Sequence, residues 1–266
     1  MKTKSPKKKN KRTLVHSILS IAVLIVMVAR FIRADYFSVF LCMLTLVLFY
    51  IPTFANKIFK VTLPAELEAI ILLFIFSAEI LGEIGSFYTQ IPWWDTMLHT
   101  INGFLMAAIG FSLIDILNNS PKFHINLSPV FVAVVAFCIS MTVGVLWEFF
   151  EFSMDMFAGT DMQKDRLVSE IISVSLNPSG LNETVSVSNI LYTDLYVAGT
   201  NEIYTIPGGY LDIGIIDTMK DLLVNCIGAI VFSIIGYFYI IGRNKGVFAS
   251  KFIPQYNPDN NPDNQE

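Results

Sequence analysis

The sequence is poor in charge, cysteine and histidine. Only 15% of its 266 residues are charged and 54% are hydrophobic, with a mean hydropathy of +0.59. A soluble domain of this size needs a polar shell that this composition does not supply. The three cysteines, Cys42, Cys138 and Cys226, all fall inside apolar runs, which excludes a disulfide framework or a CxxC metal motif. There is no repeat of fixed period. The short alternating strands of a membrane barrel are missing too, because the apolar runs do not alternate. No nucleic-acid partner is needed to explain the basic residues, which sit at the ends of those runs.

What is present is length of apolar run. A helix of about 20 apolar residues crosses a hydrocarbon core of about 30 Å. Such runs occur at Leu14 to Ile32, Phe37 to Ala55, Leu67 to Gly85, Trp94 to Leu117, Leu127 to Phe150 and Asp217 to Ile241. The expected fold class is therefore all-α, a polytopic bundle of about six spanning helices with one long extracytoplasmic loop. The first run follows a basic start and resembles a secretory signal. It exceeds a usual signal core, however, and meets Arg30 and Arg33 rather than a small-residue cleavage site, so it is expected to be a retained span.

Basic residues in short loops are held on the cytoplasmic side during insertion. Lys2, Lys4, Lys7, Lys8, Lys9, Lys11 and Arg12 precede the first run, Lys57 and Lys60 follow the second, Lys122 follows the fourth, and Arg243, Lys245 and Lys251 follow the sixth. Both termini are accordingly expected in the cytoplasm. The layout that follows is a basic tail over 1–13, five helices over 14–150, an extracytoplasmic loop over 151–212, a sixth helix over 213–242 and a disordered tail over 243–266, whose Asn, Asp and Pro content disfavours packing. Within the acidic loop, "QKDRLVSEIISVSL" is expected to form a short amphipathic helix and "NEIYTIPGGY" a strand ending in a turn. The loop fits a lid over a membrane site or a tolerated surface loop.

Ionisable residues interrupt the spans in a pattern. "WWDTMLHTINGF" places Asp95 and His99 four residues apart, on one face of the fourth span. "GVLWEFFEFSMD" places Glu148, Glu151 and Asp155 at i, i+3 and i+7, "DTMKDLLVNCIGA" places Asp217, Asp221 and Asn225 at i, i+4 and i+8, and "SAEILGEIG" adds Glu79 and Glu83. On the topology above, all of these lie toward the outer leaflet. An acid near the centre of a spanning helix costs roughly 2.5 to 3.5 kcal/mol on insertion scales, so the stripes are expected to face one another across a polar cavity. Compensation would come from a shared proton, from His99 or Lys220, or from a bound cation.

Plainer roles exist for several of them. Glu79, Glu83 and Asp155 are near enough to helix ends to reach the interface, and Asp95 suits a first helical turn. Trp93, Trp94 and Trp147 fit an interfacial belt. Gly103, Gly110, Gly144 and Gly228 suit close helix packing. His16 and His124 lie near the cytoplasmic side and are poor site candidates.

In this order, "WWDTMLH", "WEFFEFSMD", "GTDMQ" and "DTMKDLLVNCIGA" resemble the YjdF-type family of bacterial inner-membrane proteins. The sparser pattern of a D-x-x-x-H start, a paired-acid helix and a D-x-x-x-D-x-x-x-N-x-x-G helix is similar to VanZ-like membrane proteins, named for a teicoplanin-resistance factor. The first resemblance covers about Trp93 to Ala229 and implies an integral membrane protein of unassigned chemistry. By position it singles out Asp95, His99, Glu148, Glu151, Asp155, Gln163, Asp217, Asp221 and Asn225.

Three functions follow from the residues. One is a membrane enzyme acting on a lipid-like substrate, in which His99, Glu148, Glu151, Asp217 and Asp221 hold Mg²⁺, Mn²⁺ or Zn²⁺ and Asp95 orients His99 or moves a proton, with Asp155, Gln163 and Asn225 supporting. Another is a non-catalytic scaffold whose outer loop binds a partner. A third is a proton- or cation-coupled transporter, which the sequence supports least because it shows no inverted repeat and no broken span at mid-depth. Substrate and oligomeric state are not encoded in any motif.

Overall fold

The computed structural model describes residues 6–58, 61–118, 126–242, 252–253 and 255–256. The sequence readings of Lys2, Lys4, Lys60, Lys122, His124, Arg243, Lys245, Lys251 and the 257–266 tail lie outside the described residues. The chain forms two compact units, residues 1–144 with 222–266, and residues 145–221.

The first unit opens with α1 (Pro6–Ile32) and α2 (Tyr36–Leu48). Their turn is tied by polar contacts: Asp35 accepts the Ser38 N–H at 3.1 Å and the Ser38 hydroxyl at 2.6 Å, which caps α2. Arg30 Nη1 lies 3.3 Å from Asp35, and Arg30 Nη2 donates to the Ile84 carbonyl at 3.1 Å. After α2 come α3 (Ile51–Ile58), β1 (Val61–Thr62) and α4 (Ala65–Phe76). Pro64 sits at the N-cap of α4, where a missing N–H costs nothing. From Ser77 to Ile84 the helix widens to a π-helix. Then follow α5 (Phe87–Gln90), α6 (Trp94–Asn118) and the Pro129 end of α7 (Pro129–Ala158). The later part of α8 (Ile215–Ile241) completes the helices of this unit.

The fold is mostly helical, and among the described residues five helical stretches are long and apolar enough to span a membrane: Leu14–Ile32, Tyr36–Lys57, Trp94–Asn118, Pro129–Ala158 and Ile215–Ile241. The expected run from Leu67 to Gly85 is helical but divided between α4 and the π segment, so it is not a sixth helix of that length. The fifth span runs to Ala158 rather than stopping near Phe150, which makes Glu151 and Asp155 helical instead of part of the loop.

Among the described residues, two buried clusters hold the first unit together. Val23, Cys42, Leu67, Leu72 and Leu105 anchor one, and Ala108, Phe111, Val132, Ala136 and Phe232 anchor the other. Along α6 and α8 the partners advance together. Gly103 meets Asn225, Phe104 meets Phe232, and Phe111 meets Gly236 and then Tyr239, so these two helices are parallel. The composition-based expectation of disorder fails at the start of the C-terminal tail. Ile253 is buried, and β8 (Gln255–Tyr256) pairs antiparallel with β1.

The second unit carries the loop. It contains three antiparallel ladders: β2 (Leu167–Val168) with β7 (Tyr210–Leu211), β3 (Glu170–Ser173) with β4 (Val185–Ser188), and β5 (Tyr192–Tyr196) with β6 (Ile203–Pro207). The expected strand in "NEIYTIPGGY" is β6, and Gly208 and Gly209 at positive φ turn the chain after it. The expected amphipathic helix is corrected. "RLVSEIISVSL" forms β2, β3 and one 3₁₀ turn at Val174–Leu176, because its β-branched Val168, Ile171 and Ile172 suit strands and β7 and β4 supply pairing partners.

Candidate functional site

Within the first unit, the polar residues of α6 form a descending series. Asp95 lies in the first turn, where a carboxylate suits the positive end of the helix dipole. One turn further, His99 is 8% exposed and its Nε2 lies 3.4 Å from Asp95 Oδ1. That contact favours the tautomer with its proton on Nε2, the arrangement by which carboxylates orient ligating imidazoles. Next comes an amide node. Asn102 Nδ2 donates to Asn225 Oδ1 at 3.1 Å, Asn225 Nδ2 reaches the Ser140 carbonyl at 3.5 Å, and the Ser140 hydroxyl donates to the Gly103 carbonyl at 2.8 Å. Asn225 is 1% exposed, so its amide is satisfied by protein alone.

Glycine makes this node possible. A Cβ on Gly103 would overlap the Asn225 backbone carbonyl, one on Gly144 would fall 2.7 Å from Asn225 Nδ2, and one on Gly228 would overlap the Thr100 carbonyl. The close-packing role expected for these three residues is what they perform. Gly110 packs on Ile139 instead, with room only slightly short of normal contact. Below the node the lining turns aromatic, with Phe104, Phe111 and Phe232 meeting edge to face.

In the second unit the acids at the helix ends have definite tasks. Asp155 accepts from the Thr160 hydroxyl at 2.8 Å and from the Met162 and Gln163 N–H groups at 2.6 and 2.8 Å, which folds "GTDMQ" back onto its helix. Gln163 Nε2 donates to the Thr218 hydroxyl at 2.5 Å. Asp217 takes Arg166 Nη2 on one oxygen and the Lys164 N–H on the other, each at 3.1 Å. The Lys220 ammonium lies 3.9 Å from Asp217 and 3.7 Å from Asp221. Asp212 accepts from the N–H groups of Arg166, Gly214 and Ile216. Burial works to raise the Asp212 carboxyl, but these three donors outweigh it and hold it below the ordinary carboxylate value. Asp165, by contrast, is raised by burial and by the nearby Asp161, Asp212 and Asp155 carboxylates.

Glu148 and Asp221 are 4% and 2% exposed, and Glu151 accepts from Trp147 Nε1 at 2.8 Å. The structure thus brings Asp95 to His99 and Asn102 to Asn225 in one unit. In the other it brings Asp155, Gln163, Asp217 and Asp221 into a loop clamp with Arg166, Thr218 and Lys220. Glu79 is half-buried and Glu83 exposed on the π segment. His16 sits in an aromatic corner with Phe49 and Tyr50. Trp147 has a polar task of its own, since its Nε1 holds Glu151.

Sequence reasoning missed Asn102, Ser140, Arg166 and Thr218. Asn102 follows His99 by about one turn, but it is uncharged and belongs to no motif. Arg166 stands in a loop 51 residues from Asp217, beyond any local periodicity.

These features define a polytopic, mostly helical membrane protein with ionisable residues buried in its spans. The chain belongs to the predicted membrane protein family DUF2238, whose family model matches residues 15–242. That match extends the resemblance drawn from Trp93 to Ala229 across nearly the whole membrane region. No curated protein and no solved structure matches it.

Proposed function

We propose that this protein is a membrane-embedded, divalent-metal-dependent enzyme acting on a lipid-like substrate from the extracytoplasmic side of a bacterial inner membrane. The observation that supports the reading is burial. His99, Glu148, Asp217 and Asp221 are all buried in helices apolar enough to span a bilayer, where ionisable groups mark functional sites by default. An imidazole with carboxylates is a donor set suited to Mg²⁺, Mn²⁺ or Zn²⁺.

In this reading His99, Glu148, Glu151 and Asp221 are the ligands, with Asp95 orienting His99 through the 3.4 Å contact. The ion would polarise the scissile group or its attacking water. Asp217 has the weaker claim as a ligand, because its oxygens already face the Arg166 guanidinium and the Lys164 N–H. Both termini are placed in the cytoplasm on the distribution of Lys and Arg.

A second reading, a scaffold that presents its outer loop to a partner, draws support from the same clamp: Asp155, Asp212 and Asp217 all organise the loop. Metal content separates the two. Protein purified without chelators should carry a stoichiometric divalent ion by elemental analysis, and His99→Ala and Glu148→Gln should each lower it at least tenfold. Equal metal in wild type and both variants, at equal abundance, would overturn the enzyme reading.

A further inference from the structure

A groove of about 410 Å³ runs between the start of α7 and the end of α8, open along one side. It lies within the first unit, and none of the ionisable residues of the candidate site borders it. Side-chain size makes the hollow. On α7 Ala133 stands one turn before Phe137, and on α8 Ser233 stands one turn before Tyr237, so each helix sets a small side chain beside a large one. The neighbouring residues Val132, Ala136, Ala229 and Phe232 are buried in one cluster, which puts the groove on the flank of that core. Its surface is hydrocarbon. Ser233 is 8% exposed and its hydroxyl is buried without a hydrogen-bond partner, so almost no polar surface faces the groove.

Both walls belong to helices long and apolar enough to span a membrane. The rim residues Val130, Val134, Ile230, Ile234 and Phe238 are exposed, so the groove is continuous with the surface that these spans turn to lipid. Its length suits one leaflet. From Ile230 to Phe238 the helix rises about 12 Å, against about 15 Å for half of a hydrocarbon core. Its volume suits one chain. A methylene group fills about the space of a water molecule, about 30 Å³, so the hollow takes on the order of a dozen carbons rather than a whole lipid. A helix from another chain fits less well. Helices approach closely where small residues recur four positions apart, but the row on α7 runs Pro129, Ala133, Phe137 and that on α8 runs Ala229, Ser233, Tyr237. Ala229 is already fully buried in its own chain's core. A flexible hydrocarbon chain needs no such row.

We propose that the α7–α8 groove is a binding site for one acyl chain of a membrane phospholipid, which lies where Ala133 and Ser233 leave room and completes the packing of a core flank that the protein leaves open. On the charge distribution the site belongs to the cytoplasmic leaflet. It goes beyond the catalytic reading and holds whether or not the buried acids bind a metal.

The probe is phosphatidylcholine with a photoactivatable diazirine at the middle of one acyl chain, present as a trace in phosphatidylcholine vesicles that hold the full-length protein. After illumination, labelling of residues 130–137 and 230–238 is compared with that of Ile18, Ile21 and Ile25, which are exposed on α1 and line no part of the groove. The groove should label at least fivefold more than α1. Ala133→Phe, which fills the hollow, should remove the excess and leave α1 unchanged. Equal labelling of groove and α1 would overturn the site, as would an excess that Ala133→Phe leaves intact. So would labelling below that of α1 in a protein that crosslinks as a dimer, the outcome expected where a second copy covers the groove. Should Ala133→Phe fail to accumulate, the ratio in the wild type decides. Metal content bears on none of these ratios, so the acyl-chain site and the catalytic reading fail separately.

Discussion

Gly103 on α6 and Asn225 on α8 touch backbone to backbone: no Cβ fits at 103 without displacing the Asn225 carbonyl. The obstacle is main chain, which has little freedom to move. Gly103→Ala should therefore destabilise the bundle by about 1–3 kcal/mol, the range seen for overpacked cores. Gly110→Ala is the control, because its added methyl meets the Ile139 side chain at 3.0 Å rather than overlapping main chain. Unfolding in mild detergent, followed by thermal or denaturant titration, should show a clear loss for Gly103→Ala and a much smaller one for Gly110→Ala. Equal losses would mean that the close approach of α6 to α8 does not limit stability.

The Arg166–Asp217 pair predicts a local effect rather than a global one. Asp217 is 5% exposed at its side chain and Arg166 46%, so solvent screens the guanidinium and the pair contributes at most about 1 kcal/mol when Arg166 alone is removed. Removing Asp217 should matter more, since it also frees the Lys164 N–H and leaves Lys220 to pair with Asp221. Limited proteolysis should cut within 159–214 faster in Asp217→Ala than in Arg166→Met, and both faster than in wild type, with the spans intact. Unchanged cleavage in Asp217→Ala would show that the clamp does not restrain the loop.

Acid should act on this unit through two aspartates with opposite signs. Asp212 titrates below its ordinary 3.8 in the folded chain. Its contribution is thus fully present above the unfolded value and is lost as pH falls through the folded one. Asp165 titrates above 3.8; its ionised form is disfavoured by folding, and that penalty is present at neutral pH and relieved in acid. Asp212→Asn should lower the melting temperature at pH 7 by roughly 2–4 °C, the effect of losing a cap of about 1 kcal/mol in a chain of this size. The difference should shrink toward pH 3. Asp165→Asn should raise stability at pH 7 and change little at pH 3. Melting curves at the two pH values, read on the second unit by its protease resistance, check both signs.

Much of this organisation was legible in the sequence. Apolar length located the five long apolar helices, because in lipid a helix satisfies its backbone internally, though it also counted the Leu67–Gly85 run as a sixth. The small residues Gly103, Gly144 and Gly228 marked the close contacts. Asp95 and His99 were legible as a pair because a spacing of four is local. The Asn102–Asn225 bond was only half legible, since Asn225 continued a stripe of acids while its partner was an isolated amide. Hydropathy misplaced the end of α7: the apolar run stops near Phe150, although Glu151 and Asp155 continue its helical spacing, and in the structure Glu151 is held by Trp147 while Asp155 folds the following turn back on its helix. The hairpins between α7 and α8 were mistaken in part for a helix because Leu167 to Leu176 offers both periods, and pairing with residues far along the chain decided it. The packing of Phe252 and Ile253 and the pairing of β8 were hidden by composition, which describes an average and passes over two apolar side chains in a polar tail.

The amide bond between positions 102 and 225 also bears on biosynthesis. At ribosomal rates of about 5–20 residues per second, the 123 positions separating these asparagines take roughly 6 to 25 seconds to translate. For that interval α6 resides in the bilayer with its amide and its bare glycine surface awaiting α8. Closure of the Asn102–Asn225 contact is in this sense a late event, because it waits for α8 to be made.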